Sequence, residues 1–154
     1  MYRLTAAALL FATSASAEMI IDDARLVAAF GSARAAAAYM EIKNEGESDA
    51  LIGAYSDLAM TMLHETVESD GVMKMEMTER VEIPQYHVAS LAPGGLHVMV
   101  MGLSPDVLGE ETFPLTLIFE TAGEITVDLP VQIGVDVDHG VEGVGLDHGE
   151  GETE

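Results

Sequence analysis

From Phe113 to Ile133 an apolar side chain recurs at nearly every second position: Phe113, Leu115, Leu117 and Phe119, then Ile125, Val127, Leu129, Val131 and Ile133. A period of two belongs to a strand with one buried face, and it does not fit the 3.6-residue period of an amphipathic helix. Ala122-Gly123 separates the two runs, so they read as a hairpin. A second hairpin is predicted upstream. Asp70-Gly71 lies between Leu58–Val67 and Val72–Val81, and Asp-Gly between apolar runs is a strong short-range turn signal. Further strand candidates are Ile20–Val27, Tyr39–Lys43, Asp49–Ser56, Tyr86–Leu91 and Leu96–Leu103. Asn44-Glu45-Gly46-Glu47 and Pro93-Gly94-Gly95 punctuate them as turns. Ala35–Ala38 fits either state. These short strands with frequent turns predict an all-β antiparallel sandwich or barrel.

Arg3, the apolar run Leu4–Thr13 and the small residues Ala15-Ser16-Ala17 read as a secretory signal peptide over 1–17, cut before Glu18. The run is too short to span a bilayer, and no later stretch is long enough. From about Gly134 the composition turns to Gly, Asp and Glu, so 136–154 reads as an acidic, disordered tail. The folded domain is expected over 18–135. Net charge is −21, from 27 acidic and 6 basic side chains. That sign argues against nucleic acid as a partner and draws cations toward the surface. The charge alone does not establish metal binding.

The chain has no cysteine and ten methionines. An exported chain meets oxidising conditions, and this one has neither disulfide nor thiolate. Any soft-metal site must use methionine and histidine. His64, Met75, His97 and Met99 have the spacing His-x10-Met-x21-His-x-Met. Two imidazoles and two thioethers are neutral, soft donors that suit monovalent copper better than calcium, magnesium or zinc. A two-residue turn at Asp70-Gly71 sets Ser69 opposite Val72, Thr66 opposite Met75 and His64 opposite Met77. Met75 is then the diagonal neighbour of His64, roughly 7–8 Å away, and Met77 is a rival donor. His97 and Met99 leave one face of a strand about 6.6 Å apart, with Met101 further along it. A lone strand methionine is ordinarily core filler, and Met40, Met60, Met62 and Met73 are read so. His87 has no spaced partner and is read as structural. A blue-copper centre needs a Cys thiolate, which the chain lacks.

On these residues the chain resembles the PCuAC family of bacterial periplasmic copper(I) chaperones, whose motif has the same four residues at both spacings. The surrounding stretches are similar too: Ala38-Tyr39-Met40, Leu63-His64-Glu65-Thr66, Asp70-Gly71-Val72-Met73-Lys74-Met75, Leu91-Ala92-Pro93-Gly94-Gly95 and His97-Val98-Met99-Val100-Met101-Gly102-Leu103. The resemblance covers about Ile20 to Val131. It departs near the start, where the tryptophan and proline frequent in the family are absent and Leu26–Ala38 is rich in alanine.

The resemblance implies a single-domain, cupredoxin-like Greek-key β-barrel with one exposed Cu(I) site formed by His64, Met75, His97 and Met99. It implies a monomeric periplasmic chaperone, not an enzyme. Its client would be the copper centre of cytochrome c oxidase subunit II, reached alone or beside a Sco-type thiol protein. Some members of the family carry a His- and Met-rich C-terminal extension for a second copper, Cu(II). Here the tail has only His139 and His148, a weak counterpart. Two other functions fit the residues: a periplasmic copper buffer or resistance protein without a dedicated client, and a metal-free β-sandwich adaptor.

Overall fold

A computed structural model of the chain describes residues 18–29 and 34–134. The expected signal peptide over 1–17 and the tail with His139 and His148 lie outside them. The described residues form ten strands: β1 (Met19–Ala29), β2 (Ala35–Asn44), β3 (Asp49–Tyr55), β4 (Met60–Ser69), β5 (Val72–Met77), β6 (Val81–Ile83), β7 (Val88–Leu91), β8 (Leu96–Met101), β9 (Thr112–Phe119) and β10 (Glu124–Gly134). One 3-10 turn, Val107–Gly109, sits between β8 and β9. The all-β expectation holds, with ten strands where nine runs were read from sequence. The difference is Val72–Val81. It reads as one run but breaks at Thr78-Glu79-Arg80, where the chain leaves β4 as its partner and joins β3.

The hydrogen-bonding order is β5-β4-β8-β7-β2-β1-β10-β9-β3-β6, and β8 also pairs directly with β2. The sheet curls over so that β3 lies against β4 and β6 against β7. The Thr61 hydroxyl donates to the Ala54 carbonyl across that closing seam, at 2.5 Å. Leu26, Met40, Ile42, Leu51, Val98, Val100, Phe113, Leu115, Leu117 and Leu129 fill the interior. The alternation read in β9 survives there, with Phe113, Leu115, Leu117 and Phe119 all buried.

Ala35–Ala38 is strand, the outcome its composition left open. Ala36 and Ala38 face the core opposite Val100 and Val98, while β1 pairs along the other edge. A ladder on both edges outweighs alanine's small intrinsic preference for helix. Buried polar groups mark the opposite corner of the molecule. Asn44 donates to the carbonyls of Glu47 and Ile83 at 2.7 and 2.9 Å. Burial pushes the Asp49 carboxyl up, but N–H donors from Ala122, Ala50 and Thr121 outweigh it and hold that group below the usual carboxylate range.

Candidate metal centre

The β4–β5 hairpin has the register expected from its turn. Ser69 opposes Val72, Thr66 opposes Met75 and His64 opposes Met77. Asp70 and Gly71 both have positive φ, 56° and 74°, as a type I′ turn requires. On its other edge β4 pairs with β8, which sets His64 directly opposite His97, Met62 opposite Met99 and Met60 opposite Met101. Alternation sends Leu63, Val98 and Val100 into the core. The histidines and methionines between them therefore occupy the outer face.

His64 and His97 sit side by side, with ring centroids 5.9 Å apart. Met75 and Met77 flank His64 from β5, while Met99 lies beside His97 on β8. The register thus brings all four predicted donors onto one patch of one face, and it keeps Met77 and Met101 on that face as well. The patch has a buried and an open side. His97 is only 4% exposed, whereas Met75 and Met77 are 56% and 63% exposed.

Hydrogen bonding prepares the two rings differently. His97 Nδ1 lies 3.0 Å from the Gly95 carbonyl oxygen. A carbonyl only accepts, so Nδ1 is the donor, and in the neutral ring that leaves the lone pair on Nε2, the arrangement common in metal-binding histidines. His64 Nδ1 is buried with no hydrogen-bond partner. Such an orphan asks for an occupant, because buried polar atoms are nearly always paired. Burial, and secondly the neighbouring His97, hold the His64 imidazole below its ordinary pKa. It is therefore neutral at pH 7 and able to donate a lone pair.

Among the described residues no three His, Cys, Asp or Glu side chains converge. A metal held by this histidine pair must complete its shell with thioethers, a donor set that favours a soft ion. The residues present fit Cu(I).

Two contributors escaped the sequence reading. Tyr39 on β2 lies 6.3 Å from His97, ring to ring. The Arg25 guanidinium on β1 stands 5.5 Å from the centre of the Tyr39 ring. Burial raises the Tyr39 phenol and Arg25 partly opposes that. These residues close the β2 side of His97, and no local spacing signals the contact because it joins separate strands. The core-filler reading of methionines also needs correction. Met40 is buried, but Met60 and Met73 are exposed, and Met62 lies half-buried on the outer face. The alternation of β4 and β5 points them away from the core. His87 is exposed, with Nδ1 2.9 Å from the Gln85 carbonyl oxygen.

Comparisons with known proteins bear on the family and the fold. A family model described as "Putative lipoprotein LpqE-like" matches residues 19–131. "Putative lipoprotein Lxx21020" of Leifsonia xyli subsp. xyli is 37% identical over 99 residues, 62% of this chain and 60% of that protein. The chain thus matches less than two thirds of that relative's length. Among solved structures, the copper-bound PCuAC domain from PmoF2 has a TM-score of 0.63 at 26% identity, covering 78% of this chain and 97% of that one. The Cu(I) form of DR1885 from Deinococcus radiodurans has a TM-score of 0.59 at 31% identity, covering 81% and 83%. These neighbours share the cupredoxin-like β fold that the resemblance implied. With a family model matched along every described strand but the last few residues of β10, and PCuAC domains as its structural neighbours, the chain belongs to the LpqE-like, PCuAC-related family.

Proposed function

We propose that this protein is an exported, periplasmic copper chaperone. It carries Cu(I) between His64 and His97, with Met75 and Met99 as thioether donors, and passes it to the copper centre of cytochrome c oxidase subunit II, alone or beside a Sco-type thiol protein. One observation carries the reading: the unpartnered, buried Nδ1 of His64 on a ring that faces His97, whose own Nδ1 proton is already committed to Gly95. The copper-bound state of two structural neighbours supports the choice of metal. The lipoprotein description of the family and of the Leifsonia relative supports export.

The chemistry is that of a carrier, in which no substrate bond is made or broken. Thioethers are neutral and bind more weakly than thiolates, so a partner offering cysteines can take the ion. The donors on exposed β5 are accessible to such a partner, and they can be exchanged one at a time while the β8 pair still holds the ion. The high negative charge concentrates cations near the surface.

Anaerobic titration of the mature chain with Cu(I), against a chromophoric competitor, tests the site. One tight equivalent is expected, weakened in both His64→Ala and His97→Ala. A folded protein that takes up no copper would overturn the reading. Mixing the loaded protein with the apo copper domain of subunit II then tests the client. Copper should move to that domain, and its failure to move would favour a buffering protein.

A further inference from the structure

We infer that this protein has a second soft-metal subsite made only of thioethers, formed by Met60 and Met62 on β4 with Met99 and Met101 on β8. The inference rests on the reading of this face as a soft-metal carrier, and it goes beyond the four donors assigned to that role. Met60 is paired with Met101 and Met62 with Met99 in alternate, same-face rungs of one antiparallel ladder, with the Thr61–Val100 rung between them. Directly opposed residues have Cβ atoms about 4.5–5.5 Å apart, and successive same-face positions along a strand are about 6.6 Å apart. Four methionines on such a grid, each with three rotatable bonds before its methyl group, can turn their sulfurs toward one ion.

Packing does not explain these side chains. The core face of the same strands is filled by Leu63, Val98 and Val100, while Met60 is 64% exposed. One exposed methionine is ordinary, but four methionines on adjoining positions of one outer face form a contiguous apolar patch, which is not. The surroundings leave room for an ion. On the β2 side the ladder neighbours are Ala37 beside Met99 and Ala35 beside Met101, two of the smallest side chains available. On the other side β5 ends at Met77, opposite His64, so Met62 and Met60 have no β5 partner. β3 lies along that edge of β4, and the exposed Met60 leaves its corner of the grid open to solvent on the outer face.

Chemistry then selects the ligand. Four neutral sulfurs, with no carboxylate in these two rungs, favour a monovalent soft ion, Cu(I) or Ag(I), over a hard divalent one. Met99 belongs to both the thioether grid and the histidine pair. An ion captured at Met60 and Met101 can therefore pass through Met99 to His97 without leaving the face.

Silver(I), diamagnetic and stable in air, is the probe. The mature full-length chain, labelled with 13C at the methionine methyl groups, is titrated with Ag(I) and followed by NMR and by stoichiometry. Two equivalents are expected, the first shifting the Met75 and Met99 methyls and the second shifting Met60 and Met101. The double variant Met60→Leu with Met101→Leu keeps the apolar volume and should lower the count from two to one with an unchanged Tm. A wild-type protein that binds one equivalent and leaves the Met60 and Met101 methyls unmoved overturns the subsite while the histidine site stands. A second equivalent that survives in the double variant overturns it as well. Shifts at Met60 and Met101 without any at Met75 or Met99 on the first equivalent would instead reject the histidine site as the tight one.

Discussion

The strands β8 and β5 each supply donors to one patch, yet they are opposites as structural elements. β8 lies inside the sheet between β4 and β2, and its His97 is almost completely buried. β5 is an edge strand, paired only with β4, and all six of its residues are exposed. The β8 half is held by two ladders, by the Gly95 carbonyl and by the Tyr39 ring. The β5 half is held by one ladder and its turn. On the proposed function a carrier must both hold and release its cargo, and this division would assign holding to a rigid half and release to a loosely supported one. Local opening is easiest where buried contacts are few, which places the exchangeable donors on β5.

The largest expected effect tests the rigid half. His97→Ala should weaken Cu(I) binding by more than about 100-fold, beyond the usual cost of disturbing a metal's supporting shell. It should also destabilise the apo fold by about 1–3 kcal/mol, the ordinary range for a buried substitution. Chelator competition and urea unfolding measure the two. Met75→Leu should lose copper affinity by about tenfold while moving apo stability by less than about 0.5 kcal/mol, as exposed substitutions do. Equal destabilisation by the two changes would break the contrast between the halves.

The hairpin turn sharpens it further. Gly71 has a φ of +74°, a conformation that costs an L-residue roughly 1 kcal/mol. Gly71→Ala should therefore lower stability by about that much, and it should reduce copper affinity a few-fold by loosening the register that sets Met75 beside His64. An unchanged affinity would show that β5 finds its register without the turn. Hydrogen exchange offers a check without mutation. The β5 amides should exchange much faster than those of β8 in the apo protein, and copper should slow β5 selectively. Uniform protection of both strands would contradict the division.

Acidity gives the smallest effect. The folded pKa of His64 is held below its unfolded value of about 6.5. In the window between the two values the unfolded chain binds more protons. The contribution of His64 to apo stability is thus complete above about pH 6.5 and lost as pH falls through the folded value. The difference in unfolding free energy between wild type and His64→Gln should shrink on acidification. A difference that grows would mean that the fold favours the imidazolium. In the same window the neutral ring stays available to copper, so its part of the affinity should persist somewhat below pH 6.5.

Much of the site was legible in the chain. Asp70-Gly71 set the register of the hairpin because a two-residue turn leaves one pairing, and the observed rungs from Ser69–Val72 to His64–Met77 follow it. The two-residue spacing of His97 and Met99 placed both on one face for the same geometric reason. Less legible was the state of Ala35–Ala38, where propensity favours helix and only the ladders on both edges decide for strand. The methionines were misread because identity does not reveal which face of a strand is the core. Met40 and Met60 look alike in sequence, and one is buried while the other stands in water.

By itself, then, the sequence determined the strand period, the turn chemistry, the soft donor set and the local registers, because each depends on residues within a few positions of one another. Only the tertiary structure decided that β4 and β8 are neighbours. That pairing joins residues from hairpins far apart in the chain, and it depends on the folding-over of the whole sheet. From it come the His64–His97 contact, the burial of His97 beneath Tyr39, the unpartnered Nδ1 of His64 and the two rungs of paired methionines. A donor's identity is local, but its partner, its burial and its proton are set by whatever the fold brings alongside.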